Sequence, residues 1–369
     1  MSNAAPPFAS YYMAGFEAAS HRRRDGRRLD LIRATAHDSH VRSDYAQCRE
    51  AGLGTIRDAL RWHLIDASAD RRDWSSWLPM LEAGVAEGVQ VIWTLFHYGT
   101  PDRLDPMAPD FPAAFADYAR AAAQLQRSVT GQSGLFCPIN EMSFFAWAVG
   151  KRYFLSASRT SGAAFKRQLV LAAIAAARAI RDADPDSHIL WAEPLVHIAP
   201  RDRSSQEVRS AERRRLAQFE AADMLLGVTH PELGGRPDLA DWLGLNFYPH
   251  NQWYYRGATI PLGHHEYRPL ADMLVEAQAR YAKPLLIAET GAEGSARPAW
   301  LHYVCDEVRE ARRRGARVEG ICLYPVTAYP GWDNERHAEA GLFSSIMSDG
   351  RRRLYGPLAE ELSRQALSG

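Results

Sequence analysis

The chain has 369 residues, 46 % of them apolar, with 44 basic and 44 acidic side chains and a formal net charge of zero. That is the composition of a globular chain long enough for one large domain or two ordinary ones. The balanced charge offers no electrostatic basis for a nucleic-acid or anionic-membrane partner, and no apolar run is long enough to span a bilayer.

Short apolar runs alternate with helical patterns from end to end. The first strand is expected at Tyr11–Ala18, followed by a helix over Ser43–Ala51, and the second at Thr55–Asp58, followed by one over Trp74–Glu87. A third strand, Gln90–Phe96, leads to a helix at Ala113–Arg127, and a fourth, Leu135–Asn140, to the alanine-rich helix Gly162–Ala183, which stops before Pro185. Strands at Ile189–Pro194, Trp242–Phe247, Pro284–Glu289 and Gly320–Tyr324 complete the set, with helices at Ser205–Leu226, Leu270–Ala282, Pro298–Arg314 and Pro357–Ala366. Such alternation demands a parallel sheet covered by helices, and eight strands close a (β/α)8 TIM barrel. An open doubly wound sheet is the alternative, but no G-x-G-x-x-G turn follows the first strand. No linker divides the chain, so residues 9–369 are expected to form one barrel with extended loops on the catalytic face, preceded by a flexible segment at 1–8. The longest irregular stretch, Pro325–Phe343, follows the eighth strand.

Cys48, Cys137, Cys305 and Cys322 have no C-x-x-C spacing and lie in apolar surroundings, which points to buried free thiols. Met1–Pro7 lacks a charged segment followed by an apolar one, so a cytoplasmic location is expected.

In such barrels chemistry collects at the carboxyl ends of the strands. Polar side chains gather there: Arg57 on the second strand, His97 after the third, Asn140 and Glu141 on the fourth, Asn246 and Tyr248 on the sixth, Glu289 on the seventh. Two glutamates, each closing an apolar run, are the apparatus for cleaving a glycosidic bond when they face one another across a sugar.

The ordered segments TLFHYGTP (94–101), PINEM (138–142), GLNFY (244–248) and AETG (288–291), with the run Gly52–Arg57, resemble the motifs of glycoside hydrolase clan A, and in particular of the family-one β-glycosidases. The resemblance spans strands two to seven. It implies a retaining, exo-acting glycosidase on small β-linked glycosides, needing neither cofactor nor metal. In that reading Glu141 is the general acid and base and Glu289 the nucleophile. Arg57 and Tyr248 support Glu289, Asn140 holds a sugar hydroxyl, and His97 binds another. The chain departs from the family at the first strand, where Phe16-Glu17-Ala18-Ala19-Ser20-His21 replaces a glutamine-containing turn, so Glu17 or His21 is expected to contact the sugar instead. It departs again at the eighth strand, where Tyr324 and Trp332 stand in for a tryptophan platform. A transglycosylase with the same covalent step and a non-catalytic sugar-binding barrel are the competing readings.

Overall fold

The computed structural model describes residues 7–368. Eight parallel strands close a barrel, labelled here β1 Tyr12–Gly15, β2 Thr55–Ala59, β3 Gln90–Phe96, β4 Leu135–Ile139, β5 His188–Pro194, β6 Trp242–Asn246, β7 Leu285–Thr290 and β8 Val318–Leu323. Each pairs with its sequence neighbours, and β1 closes on β8 with Tyr12 opposite Ile321. The fold class read from the sequence is the one observed.

Side chains divide by face. Met13, Ile92, Leu135, Cys137, Leu190, Trp242, Leu286 and Cys322 fill the barrel interior as one cluster. Their strand neighbours, such as Ile56, Trp93, Phe136, Trp191, Leu243 and Ile287, join the larger layer beneath the helices. This is the period-2 alternation of a strand buried on both faces. Gly244 is required where β6 passes β7, because a Cβ there would stand 2.7 Å from the Ala288 Cβ. All four cysteines are buried and free. Among the described residues no helix is long and apolar enough to cross a membrane.

The helices follow the expected periodicity, with shifts at their ends. The first long helix begins at His37, six residues before the expected start, because His37 anchors a buried ionic cluster. Its ring stacks on Phe16 at 3.7 Å, Nδ1 meets Asp44 at 2.7 Å, and Nε2 meets Asp58 at 2.8 Å. Arg352 grips the other side of Asp44 and Tyr45 donates to Asp58. Asp58 points out of the barrel where Arg57 beside it points in. One β2 dipeptide thus serves the helix layer and the barrel mouth.

A helix that the sequence reading passed over, Met142–Gly150, starts immediately after Glu141. Its apolar residues run all round it, so no amphipathic stripe marks it. The expected flexible segment 1–8 lies, for residues 1–6, outside the described residues. Phe8 is buried against Trp242, with ring centroids 5.0 Å apart. In the stretch Pro325–Phe343, a two-residue antiparallel pair joins Tyr329–Pro330 to His337–Ala338.

Burial opposes charge on His37, but the Asp58 and Asp44 carboxylates outweigh it and hold its pKa at about 9, above the ordinary 6.5. A raised pKa contributes stability that is complete below 6.5 and lost as pH rises through about 9. The stability advantage of wild type over His37→Gln, followed by chemical denaturation, is therefore expected to shrink steadily from pH 6.5 to beyond 9.

Candidate active site

The carboxyl ends of the strands open into a cavity of about 1340 Å³. Glu141 and Glu289 both line it, with Glu17, His97, Tyr98, Tyr248, Tyr324 and Trp332. How each glutamate reaches the mouth is a matter of backbone. On β7, Leu286 and Ala288 face inward and Ile287 outward, so strict alternation would turn Glu289 away from the cavity. The pairing of β6 with β7 shifts register between Leu245 and Asn246, and that of β8 with β7 shifts between Ile321 and Leu323. This irregularity lets Ala288 and Glu289 face the same side, the use to which barrels commonly put a bulge. Glu141 turns by another device. Its backbone is left-handed, with φ of +45°, at the point where β4 gives way to the helix Met142–Gly150. A non-glycine residue there is strained, and such strain gathers at functional sites. The buried Glu193 carboxylate accepts from the Ser143 N–H at 3.1 Å, so it caps that helix and braces the turn.

One hydrogen-bonded network joins the two carboxylates. Arg57, fully buried, donates from one terminal nitrogen to Glu289 Oε1 at 2.5 Å and from the other to Asn140 Oδ1. With its oxygen committed to Arg57, Asn140 can only donate from Nδ2, which lies 3.1 Å from His97 Nε2 and 3.0 Å from Tyr98 Oη. His97 Nε2 is therefore an acceptor, and the proton of the neutral ring sits on Nδ1. Burial and the nearby Arg57 charge keep that ring well below its ordinary pKa, in agreement with the neutral form. Tyr98 in turn donates to Glu141 Oε2 at 2.9 Å, and Asn246 Nδ2 donates to Glu141 Oε1 at 2.9 Å. Tyr248 donates to Glu289 Oε2 at 2.8 Å. Asn246 lies directly opposite Glu289 in the β6–β7 ladder, so one side chain reaches from the strand beside Glu289 to Glu141.

The two glutamates thus meet opposite electrostatic surroundings. Glu289 shares a salt bridge with Arg57. Glu141 receives only neutral donors, and burial together with the Glu289 charge pushes its pKa up to about 8. Glu17, a third carboxyl in the same wall, is pushed up to about 7 by burial, against the opposing hydrogen bond from the Ala19 N–H.

Most of the residues expected from sequence come together here. Arg57 and Asn246 lie behind the cavity wall and act through the carboxylates they touch. His21 lies apart from them. It is absent from the cavity lining. Its fully buried ring stacks on Phe154 at 3.6 Å and meets the Trp332 edge at 5.3 Å, so it backs Trp332. The cause is the chain's route: after Glu17 the backbone bends so that Ser20 N–H bonds the His97 carbonyl, which carries His21 behind the aromatic cluster. The residue missed was Tyr98. Its place directly after His97 was a usable signal, because both sit at the mouth end of β3. Among the described residues no group of three or more His, Cys, Asp or Glu side chains could hold a metal ion.

No family model matches the chain, and no curated protein matches it in sequence. Solved structures match over its whole length. A β-glucosidase from Thermotoga maritima in complex with glucoimidazole superposes with a TM-score of 0.80 at 14 % identity, covering 100 % of both chains. Virulence factor SghA from Agrobacterium tumefaciens matches with a TM-score of 0.76 at 17 % identity, over 97 % of this chain and 96 % of that one. The AHE enzyme from Alicyclobacillus herbarius gives 0.72 at 17 % identity, over 98 % and 99 %. The chain shares the (β/α)8 barrel fold of these structures in a divergent sequence.

Removing Arg57 would leave Glu289 buried without its countercharge. Arg57→Met is expected to lower stability by about 3–5 kcal/mol, and Arg57→Met with Glu289→Leu to recover much of that loss, as measured by denaturant titration.

Proposed function

We propose that this protein is a retaining β-glycosidase that acts on small β-linked glycosides from their non-reducing ends. The observation that carries the reading is the pairing of two carboxyls on one cavity in opposite protonation environments. Glu289, ion-paired to Arg57, is suited to attack the anomeric carbon. Glu141, raised to about 8, is suited to keep its proton at neutral pH and deliver it to the departing oxygen. Once the aglycone leaves, the Glu141 carboxylate accepts a proton from water, and that water displaces Glu289 from the sugar.

Retention is favoured by how few links separate the carboxyls. Glu141 touches Asn246, and Asn246 is the ladder partner of Glu289. Retaining pairs stand about 5–5.5 Å apart, whereas inverting pairs leave room for a water between them. Asn140, fixed by Arg57, His97 and Tyr98, supports the reading by holding those three side chains in register at the cavity. His97 offers its Nδ1–H as a further donor. Sugar-shaped ligands named with the Thermotoga maritima enzyme, glucoimidazole and deoxynojirimycin, support a carbohydrate substrate for the shared fold. The exposed Trp147 at the mouth gives an apolar seat for an aglycone or for an acceptor sugar, and on the latter ground transglycosylation is the second reading.

Glu141→Ala is expected to slow hydrolysis of glycosides with poor leaving groups by about 10²–10⁴-fold while sparing dinitrophenyl glycosides. Added azide should then restore turnover and give a β-glycosyl azide. An α-glycosyl azide, or no rescue at all, would count against the assignment.

Because Glu141 must be protonated, kcat/KM should fall as pH rises through about 8, the pKa of its free-enzyme form. The Tyr98 hydrogen bond favours the ionised carboxylate, so Tyr98→Phe is expected to move that alkaline limb upward in a pH–rate profile.

A further inference from the structure

The helix Met142–Gly150 begins without the side chain that should begin it. Its N-cap position is Glu141, whose carboxyl makes no capping bond and turns instead to Tyr98 and Asn246 at the cavity. The first N–H groups of a helix have no partners within it, and left bare when buried they are costly. They are met from the next strand. On β5, Leu190 and Ala192 face into the barrel and Trp191 faces out, so Glu193 points out toward the start of that helix. It is absent from the lining of the large cavity and shares a small void with Met142 and Trp191. The Glu193 carboxylate accepts from the Ser143 N–H with both oxygens, at 3.1 and 3.3 Å, and the Met142 N–H also favours its ionised form.

One β5 dipeptide therefore holds the backbone on both sides of the Glu141 side chain. Ahead of it, Ala192 bridges to Asn140, and the Ala192 carbonyl accepts the Glu141 N–H at 2.9 Å. Behind it, Glu193 takes the N–H groups that follow. Between these anchors Glu141 keeps φ of +45° and ψ of +61°, a left-handed conformation that a residue of its kind adopts only where its surroundings enforce it. Glu193 is 7 % exposed, and among the described residues it has no ion-pair partner. Lys166, the cation that weighs most on it, has its ammonium on Glu220 at 2.7 Å. A serine or asparagine caps a helix without a charge. A buried carboxylate with no cation is the costlier choice. What it adds is a charge that faces Glu141 as well as the helix.

We infer that Glu193 is a positioning residue for proton transfer: it touches no substrate, but by fixing the backbone that follows Glu141 it aims the Glu141 carboxyl at the departing oxygen. Its charge acts in the same direction. The groups facing Glu141 are Glu289 from β7, Tyr98 from the end of β3, Asn246 from β6 and Glu193 from β5. The two carboxylates favour the protonated acid, and the two neutral donors oppose it. Glu193, raised to about 7 by burial, is ionised by the pH at which Glu141 titrates, about 8. Removing its charge therefore lowers the Glu141 pKa. The inference rests on the glycosidase reading and adds to it the residue that aims the acid.

The test compares kcat/KM for a phenyl β-glycoside, whose leaving group needs a proton, with kcat/KM for the 2,4-dinitrophenyl glycoside of the same sugar, whose leaving group does not. The ratio of the second to the first should rise at least about 10-fold in Glu193→Ala, a part of the roughly 10²–10⁴-fold that a general acid supplies. Glu193→Gln keeps an acceptor oxygen for the Ser143 N–H and removes the charge. In that variant the alkaline limb of the phenyl glycoside pH–rate profile should move to lower pH, opposite to its movement in Tyr98→Phe. A helix cap with no part in catalysis lowers the melting temperature and leaves both the ratio and the limb where wild type has them. A ratio unchanged in Glu193→Ala, an equal loss on both substrates included, overturns the inference and leaves the glycosidase reading standing. So does a limb in Glu193→Gln that stays in place or moves to higher pH. If Glu193→Ala does not fold, the limb in Glu193→Gln decides alone. Absence of turnover by wild type on every aryl glycoside overturns both readings.

Discussion

Everything at the mouth of this barrel hangs on one buried guanidinium. Arg57 enters a low-dielectric site where an isolated charge is prohibitively costly, and it is tolerated there because it is ion-paired to Glu289 and hydrogen-bonded to Asn140. Those two bonds fix the rest. Asn140 loses its freedom to flip, which settles the His97 tautomer and turns the Tyr98 hydroxyl toward Glu141. Tyr248 then closes the remaining oxygen of Glu289. The catalytic candidates are thus oriented before any ligand arrives, which is what electrostatic preorganisation requires.

The same charge separates the two glutamates chemically. A buried pair of carboxyls cannot easily carry two negative charges, so whichever has the cation takes the charge and the other takes the proton. Arg57 is on the side of Glu289. Glu141 is left with the neutral donors Tyr98 and Asn246, whose hydrogen bonds favour its ionised form but are outweighed by burial and the Glu289 charge. The fold produces this asymmetry from β2, where alternation sends Arg57 inward and Asp58 outward to the His37 cluster. A slip of one residue in β2 would lose both.

Much of this was legible in the sequence. The eight apolar runs fixed the barrel because strands buried on both faces leave a continuous hydrophobic signature. Glu141, Glu289 and Arg57 stood out because charged residues at the ends of such runs have no structural reason to be there. What could not be read was set by tertiary packing. The inward turn of Glu289 depends on a register shift between strands that no local pattern announces. The helix after Glu141 is apolar on all sides and carries no periodic stripe. His21 was placed at the rim by its position in the chain, but the bend at Ser20 takes it behind Trp332. Tyr98 was passed over because the tyrosine that matters here looks, in sequence, like one more aromatic among many.

In the proposed mechanism Glu289, ion-paired to Arg57, forms a bond to sugar during turnover. The most direct measurement is incubation with 2,4-dinitrophenyl 2-deoxy-2-fluoro-β-glucoside followed by peptide mapping in a mass spectrometer. A single fluoroglucosyl adduct is expected on the peptide bearing Glu289, absent in Glu289→Gln. An adduct on Glu17 or Glu141 instead, or hydrolysis of substrate with inverted configuration and no adduct, would contradict it.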